Sequence, residues 1–270
     1  IGTRNVERLL EVLRSRDDVS WELTAFPQHG MQEGRIKPLL AKAMEAGATM
    51  VGGLDPGSVD KDVLGILDDI FGLAVHYDAK IDFHLHDPGT LGLFELNRIV
   101  DYTLNAGWQG RVSLSNANAL GNVDPGAARA AAERLAEAKI AVGTTMSPGG
   151  PVIPVDMLDE VGVEVSLGSD SITDILTPFG QGDILEQLWM LAQRFEWCDE
   201  WALARTLHFG TGEPGRWAED RTRAWPTVGA AADFMLVRAT CGAEALARRS
   251  VRSAVYHQGR LTYQRPDSAK

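Results

Sequence analysis

Apolar residues recur along this chain at two periods, one near 3.6 and one of 2, and the alternation between them lays out short strands separated by helix-length segments. Val6, Leu9, Leu10 and Leu13 form a helical stripe that predicts a helix over residues 6–16. WELTAFP, residues 21–27, reads as a strand ending at Gln28 and His29. A helix over 36–46 closes at Gly47, as a helix-ending glycine does. ATMVGG, residues 48–53, is the next strand, LDPGS is its loop, and a helix over 60–77 follows. In KIDFHLHDPG, residues 80–89, Ile81 and Phe83 alternate with Asp82 and His84 as in a strand, which breaks at Pro88–Gly89. The same rhythm predicts helices over 91–105, 125–138 and 155–161, and strands over 111–115, 140–145 and 163–168. Brief β-branched strands alternating with helices are the mark of repeated βα units in a parallel arrangement.

Six such strands result, whereas a closed (β/α)8 barrel has eight, and the chain opens on a helix. The simplest reading is an α/β fold, a TIM-type barrel whose first two βα units are absent from this sequence. A doubly wound open sheet is the alternative, although no GxGxxG follows the first strand. After Asp170 the pattern predicts helices over 182–196 and 200–209. It then changes to the strands GAAADFMLVRA (229–239) and SAVYHQGRLTYQ (253–264), the latter a hairpin turning at Gln258–Gly259. The division expected is a barrel portion over 1–225 and a C-terminal piece of a small β-domain over 226–270.

Composition narrows the class. A chain of 270 residues with 44% hydrophobic and 23% charged residues suits a soluble globular protein. The net charge of −11 argues against nucleic acid or an anionic membrane as a partner held by a basic surface. Arg248, Arg249 and Arg252, beside Glu244, read as a solvated helix face. Cys198 and Cys241 lie far apart with no CxxC, which excludes a disulfide framework or a cysteine zinc site and suits a reducing cytoplasm. No apolar run has the length of a membrane span, and residues 1–18 read as a charged amphipathic helix rather than a signal peptide. The expected location is cytoplasmic.

Candidate chemistry collects at strand ends. Gln28, His84 with His86 and Asp87, Asn116, and Asp170 each stand just past the carboxyl end of a predicted strand, the end that carries catalysis in an α/β barrel. A histidine and an aspartate suit a borderline divalent ion such as zinc or iron, which activates water near neutral pH, and a nearby carboxylate can carry the protons. Plainer roles also exist: Asp170 as a helix N-cap, and Gln28 as a loop residue bonded to backbone.

The runs AFPQHG, VGGLDPGSVD, IDFHLHDPGTLG, SLSNANALG and GSDSITDILTPFGQGD, in order between about residues 3 and 264, resemble the amidohydrolase superfamily. Within it they are similar to the cytosine deaminase-like branch, which includes the N-isopropylammelide amidohydrolases of triazine breakdown. The resemblance implies a metal-dependent barrel flanked by a small β-sandwich. It implies that His84 and Asp170 bind the metal, that Asp87 shuttles protons, and that Gln28 hydrogen-bonds a heterocyclic substrate. Asn116 stands where the family has a histidine that contacts the metal-bound hydroxide and substrate; asparagine hydrogen-bonds but exchanges no proton near neutral pH. Leu176 stands where relatives often place a pocket-lining tryptophan, and His86 is given no role. The family's first-strand His-x-His pair, two further metal ligands, is absent, so a site for one divalent ion, zinc or iron, is incomplete in this chain. The function implied is hydrolysis of a non-peptide C–N bond in a small cytosine- or triazine-like heterocycle by metal-activated hydroxide. The partner expected is that small molecule, with self-association into a homo-oligomer allowed for. The rivals are a ring-opening cyclic amidase and a degenerate relative that binds a small molecule without turnover.

Overall fold

The computed structural model describes residues 2–31, 34–146, 150–174, 178–179, 181–211 and 225–266. By packing, the chain divides into two units, Ile1–Val165 and Ser166–Lys270.

The first unit opens with helix α1 (Arg4–Arg14), of which Leu10 is the buried residue. Strand β1 (Thr24–Ala25) follows, then α2 (Ile36–Ala46), which ends at Gly47 with φ +119°. Strand β2 (Met50–Leu54) passes into a π-helical turn, Pro56–Asp60, and then into α3 (Val63–Tyr77), where the Asp62 carboxylate accepts the Gly65 amide as an N-cap. Strand β3 (Lys80–His84) leads to α4 (Gly89–Ala106), stopped by Gly107 at φ +68°. Strand β4 (Val112–Ser115) is followed by a 3-10 turn at Asn118–Gly121 and by α5 (Pro125–Glu137), N-capped by Asp124. Strand β5 (Ala141–Thr144), α6 (Val155–Glu160) and β6 (Val165–Leu167) complete the series.

The strands pair in sequence order, β1-β2-β3-β4-β5-β6, and the pairs from β1 through β5 are parallel. The six strands and their parallel, sequential order follow the periodicity of the sequence. Along β3 the side chains split by face. Ile81 and Phe83 are wholly buried, and a Cβ on Gly53 of β2 would meet both Phe83 and Ile70 of α3, so this face packs against a helix. Burying side chains of this size contributes about 1.5–3 kcal/mol each. Asp82 and His84 point to the opposite face.

The second unit holds α7 (Ile184–Arg194), α8 (Glu200–Thr206) and α9 (His208–Thr211), then β7 (Phe234–Val237), α10 (Gly242–Ala247), β8 (Arg252–His257) and β9 (Arg260–Gln264). The last three strands form an antiparallel sheet, β7-β8-β9. Gln258 and Gly259, at φ +48° and +77°, make the two-residue turn between β8 and β9 at the position the sequence predicts.

Several boundaries differ from those predicted. The first strand keeps two of its seven residues: among the described residues β1 pairs with β2 alone, and Pro27 has no N–H to extend the ladder. The helix predicted from residue 60 starts at Val63, because Asp62 caps it and the preceding residues are wound into the π-helical turn. The helix over 200–209 breaks into α8 and α9, where the Thr206 hydroxyl bonds back to the Ala202 carbonyl. The strand over 229–239 contracts to β7, with a turn in which the Ala230 amide bonds the Thr227 carbonyl before it and a register shift at its end. Among the described residues, no helix is long and apolar enough to cross a membrane.

Candidate functional site

The register of the parallel strands decides which residues meet. Leu54 pairs with His84, His84 with Ser115, and Ser115 with Gly143, so the carboxyl ends of β2, β3, β4 and β5 are level. The ladder runs on past the strands: the Asp55 amide bonds the His84 carbonyl, the Leu85 amide that of Ser115, and the Asn116 amide that of Gly143. Three loops thus leave the sheet side by side, carrying Asp55, His86 with Asp87, and Asn116.

His84 ends β3 with its ring edge-on to Phe26, the centroids 4.6 Å apart. Its Nδ1 lies 3.0 Å from Asp82 Oδ2, yet the atom is buried and the ring is turned so that no hydrogen bond forms. Asp82 itself is fixed: Oδ1 accepts the hydroxyls of Ser113 at 2.7 Å and Ser115 at 3.0 Å. A turn of the ring would let Nδ1–H donate to this braced carboxylate, the arrangement that orients a ligating histidine.

Asp55 is the hinge of the neighbouring loop. It adopts a left-handed backbone, φ +33°, which aspartate tolerates better than most residues. Its Oδ1 accepts the amides of His86 at 2.5 Å and Asp87 at 3.2 Å, and Oδ2 sits 2.8 Å from His86 Nδ1. Burial works to raise the Asp55 carboxyl; the bonds and charge of His86 and the Asp87 amide outweigh it and hold the group below its ordinary value. The ionised carboxylate puts the proton on His86 Nδ1. In the neutral ring Nε2 is then an acceptor, 3.1 Å from Asn116 Nδ2. Asn116 is also left-handed, φ +75°.

Asp87 is buried, and its Oδ2 accepts the Ser58 amide at 3.0 Å. The next amide back in the same π-helical turn, Gly57, donates to Glu95 Oε1 of α4 at 2.6 Å. Ligand atoms of Asp55, Asp87 and Glu95 all lie within 4.8 Å of one another, the one such group of three among the described residues. Burial above all, and then repulsion from Asp87 and Asp55 against the pull of the Gly57 amide, pushes the Glu95 carboxyl up to about 8. Gly92 lets α4 pass this close: a Cβ there would stand 1.9 Å from the Asp87 carbonyl oxygen.

Of the residues singled out from sequence, His84 therefore ends β3, His86 and Asp87 stand on the loop that follows it, and Asn116 stands on the neighbouring loop, where His86 touches it. Gln28 is exposed two residues past Phe26, its amide bonded to the Phe26 carbonyl. Asp170 belongs to the second unit, exposed and left-handed at φ +60° just past β6. Leu176 lies outside the described residues. Three acids of this site were not singled out. Asp82 carried a signal, since it shares the His84 face by strand alternation. Glu95 carried one too: it falls among Gly92, Leu96, Ile99 and Val100 on the buried stripe of α4, where an acid is out of place. Asp55 was visible only as the start of a Pro-Gly turn.

The family model described as "Amidohydrolase family" matches residues 11–263. The chain is 36% identical over 264 residues to the uncharacterised protein YahJ of Escherichia coli strain K12, covering 97% of this chain and 57% of that protein. It is 30% identical over 261 residues to the N-isopropylammelide isopropyl amidohydrolase of Pseudomonas sp. strain ADP, covering 96% and 65%. The chain thus spans roughly three fifths of the length of these curated relatives. Among solved structures, the N-isopropylammelide isopropylaminohydrolase of Burkholderia multivorans superposes with a TM-score of 0.87 at 33% identity, over 97% of this chain and 68% of that one. The 5-methylcytosine deaminase of Klebsiella pneumoniae, with phosphonocytosine bound, shares the fold: its TM-score is 0.82 at 23% identity, covering 99% and 69%. On the match over residues 11–263, and with the polar loops at the ends of β2, β3 and β4 where three of the five sequence runs fall, the chain belongs to the amidohydrolase family, in its cytosine deaminase-like and N-isopropylammelide amidohydrolase-like branch.

Proposed function

We propose that this chain carries much of the site of a metal-dependent hydrolase that cleaves a non-peptide C–N bond in a small cytosine- or triazine-like heterocycle. The observation that carries the reading is the register that levels His84 with Leu54 and Ser115 and so gathers Asp55, His86, Asp87 and Asn116 on adjoining loops. The six strands are read as part of a (β/α)8 barrel spanning residues 1–225, and residues 226–270 as part of a small β-sandwich.

The residues present fit a divalent ion of the zinc or iron class. His84 offers an imidazole with an orphaned, buried Nδ1 beside the braced carboxylate of Asp82. His84 and Asp170 are the residues assigned to the ion, each described within its own unit. Such an ion, when bound, lowers the pKa of adjacent water towards neutrality. Asp87 moves protons at its carboxylate, towards the nitrogen that leaves as ammonia or an amine. The Ser58 amide holds that carboxylate in one orientation. Asn116 and Gln28 orient the ring by hydrogen bonds, with Leu176 assigned to its apolar edge.

The test is Asp87→Asn with cytosine and N-isopropylammelide as substrates, following ammonia or isopropylamine release and metal content together. The expected result is a loss of about 10²-fold or more in kcat with metal content unchanged. Near-normal turnover would remove Asp87 from proton transfer. Ring-opened product instead of a released amine would favour a cyclic amidase on the same scaffold. The asparagine at 116, in contact with His86 rather than replaced by a proton-exchanging group, favours a second reading, a relative that binds the heterocycle without turnover. Saturable binding with no product in any metal-loaded preparation would select it.

A further inference from the structure

Glu95 has no solvent exposure at all, which sets it apart among the buried acids of the described residues. One of its oxygens is accounted for: Oε1 accepts the Gly57 amide. Oε2 is buried and meets no donor. The titratable groups that face it are two more acids, Asp87 of the β3–α4 loop and Asp55 of the β2–α3 turn. The cation one turn along α4, Arg98, is engaged elsewhere, with Asp101 at 2.8 Å and over the Phe94 ring. Three carboxylates this close resist being ionised together, although the His86 imidazole stands 2.8 Å from Asp55 Oδ2. A proton on Oε2 removes the charge and supplies the donor that this oxygen otherwise lacks.

We propose that Glu95 is protonated near neutral pH and donates from Oε2 to the carboxylate of Asp87, which makes it the positioning residue for the proposed proton carrier. The inference rests on the reading of Asp87 given above, but its geometry does not. The π-helical turn after β2 then grips both acids through successive amides, Gly57 on Glu95 and Ser58 on Asp87. Asp87 accepts two hydrogen bonds, from Ser58 N–H and from Glu95 O–H. These fix its orientation. The upward displacement of the Glu95 carboxyl to about 8 agrees with this arrangement.

The test is an infrared pH titration of the chain labelled with 13C at glutamate carboxyls, compared with Glu95→Gln and Asp87→Asn. The expected result is a protonated-carboxyl band at pH 7 that is missing in Glu95→Gln and titrates away in the wild type near pH 8. In Asp87→Asn, where the facing charge and acceptor are lost, the midpoint should fall by about one pH unit or more. Absence of the band at pH 7 would overturn the proposal, as would a midpoint unmoved by Asp87→Asn. So would loss of the band on adding one equivalent of magnesium, calcium or zinc, which would make the three acids a cation site. These readouts need no turnover. If the band behaves as expected but Asp87→Asn still turns over substrate normally, the reading of Asp87 as proton carrier fails while the Glu95 contact stands.

Discussion

Two glycines lie inside neighbouring helices, and replacing each by alanine should move stability in opposite directions. At Gly72 in α3 an added Cβ meets nothing within 4 Å, and the backbone is ordinary helix. Alanine there should stabilise by about 0.5–1 kcal/mol, because the unfolded chain loses freedom and the folded one loses nothing. At Gly92 in α4 the same Cβ would sit 1.9 Å from the Asp87 carbonyl oxygen and 2.9 Å from the Ala119 side chain. The carbonyl is backbone and cannot swing aside, so the loop must retreat from α4 by about 1.5 Å to regain ordinary contact. Overpacking of this kind costs about 1–3 kcal/mol, which outweighs the helix gain of about 0.5–1 kcal/mol. Urea unfolding followed by circular dichroism should therefore place the Gly92→Ala midpoint below wild type and the Gly72→Ala midpoint above it. The retreat also carries Asp87 away from Ser58 and Glu95, and a shift of about 1 Å in a reacting group costs on the order of 10² in rate. A Gly92→Ala midpoint equal to or above that of Gly72→Ala would refute the close approach of α4 to the Asp87 loop.

Asp82→Asn keeps the shape of the side chain but removes the charge beside His84 Nδ1, and it should weaken zinc or iron binding about 10–100-fold in a chelator competition. Unchanged affinity would remove Asp82 from any role in holding His84. The raised Glu95 carboxyl also predicts a pH effect with a definite sign. The folded chain keeps a proton that the unfolded chain releases from its ordinary value of 4.5 upwards, so this group's stabilisation is full below 4.5 and is lost as pH rises towards about 8. The slope should approach about 1.4 kcal/mol per pH unit in the middle of that window and vanish in Glu95→Gln. Denaturation midpoints at a series of pH values read it, and parallel profiles for the two proteins would show that Glu95 does not titrate there.

The alternation of short strands and helices was legible in the sequence because each period is a local property: a strand of five residues or a helix of fifteen shows its apolar face in its own letters. For the same reason the hairpin at Gln258–Gly259 and the polar run His84–Asp87 at a strand end could be placed by number. The sequence runs of the amidohydrolase pattern are likewise short contiguous stretches. What a local pattern cannot hold is the partner of a residue in another loop. Asp55 meets His86 across 31 residues, Gly57 meets Glu95 across 38, and Asp82 meets Ser113 across 31. Those distances are closed by the register of β2, β3 and β4, which no single segment encodes. Burial is likewise a sum over elements, so only the tertiary structure turned Glu95 from one acid on a helix into a fully enclosed carboxyl facing two others.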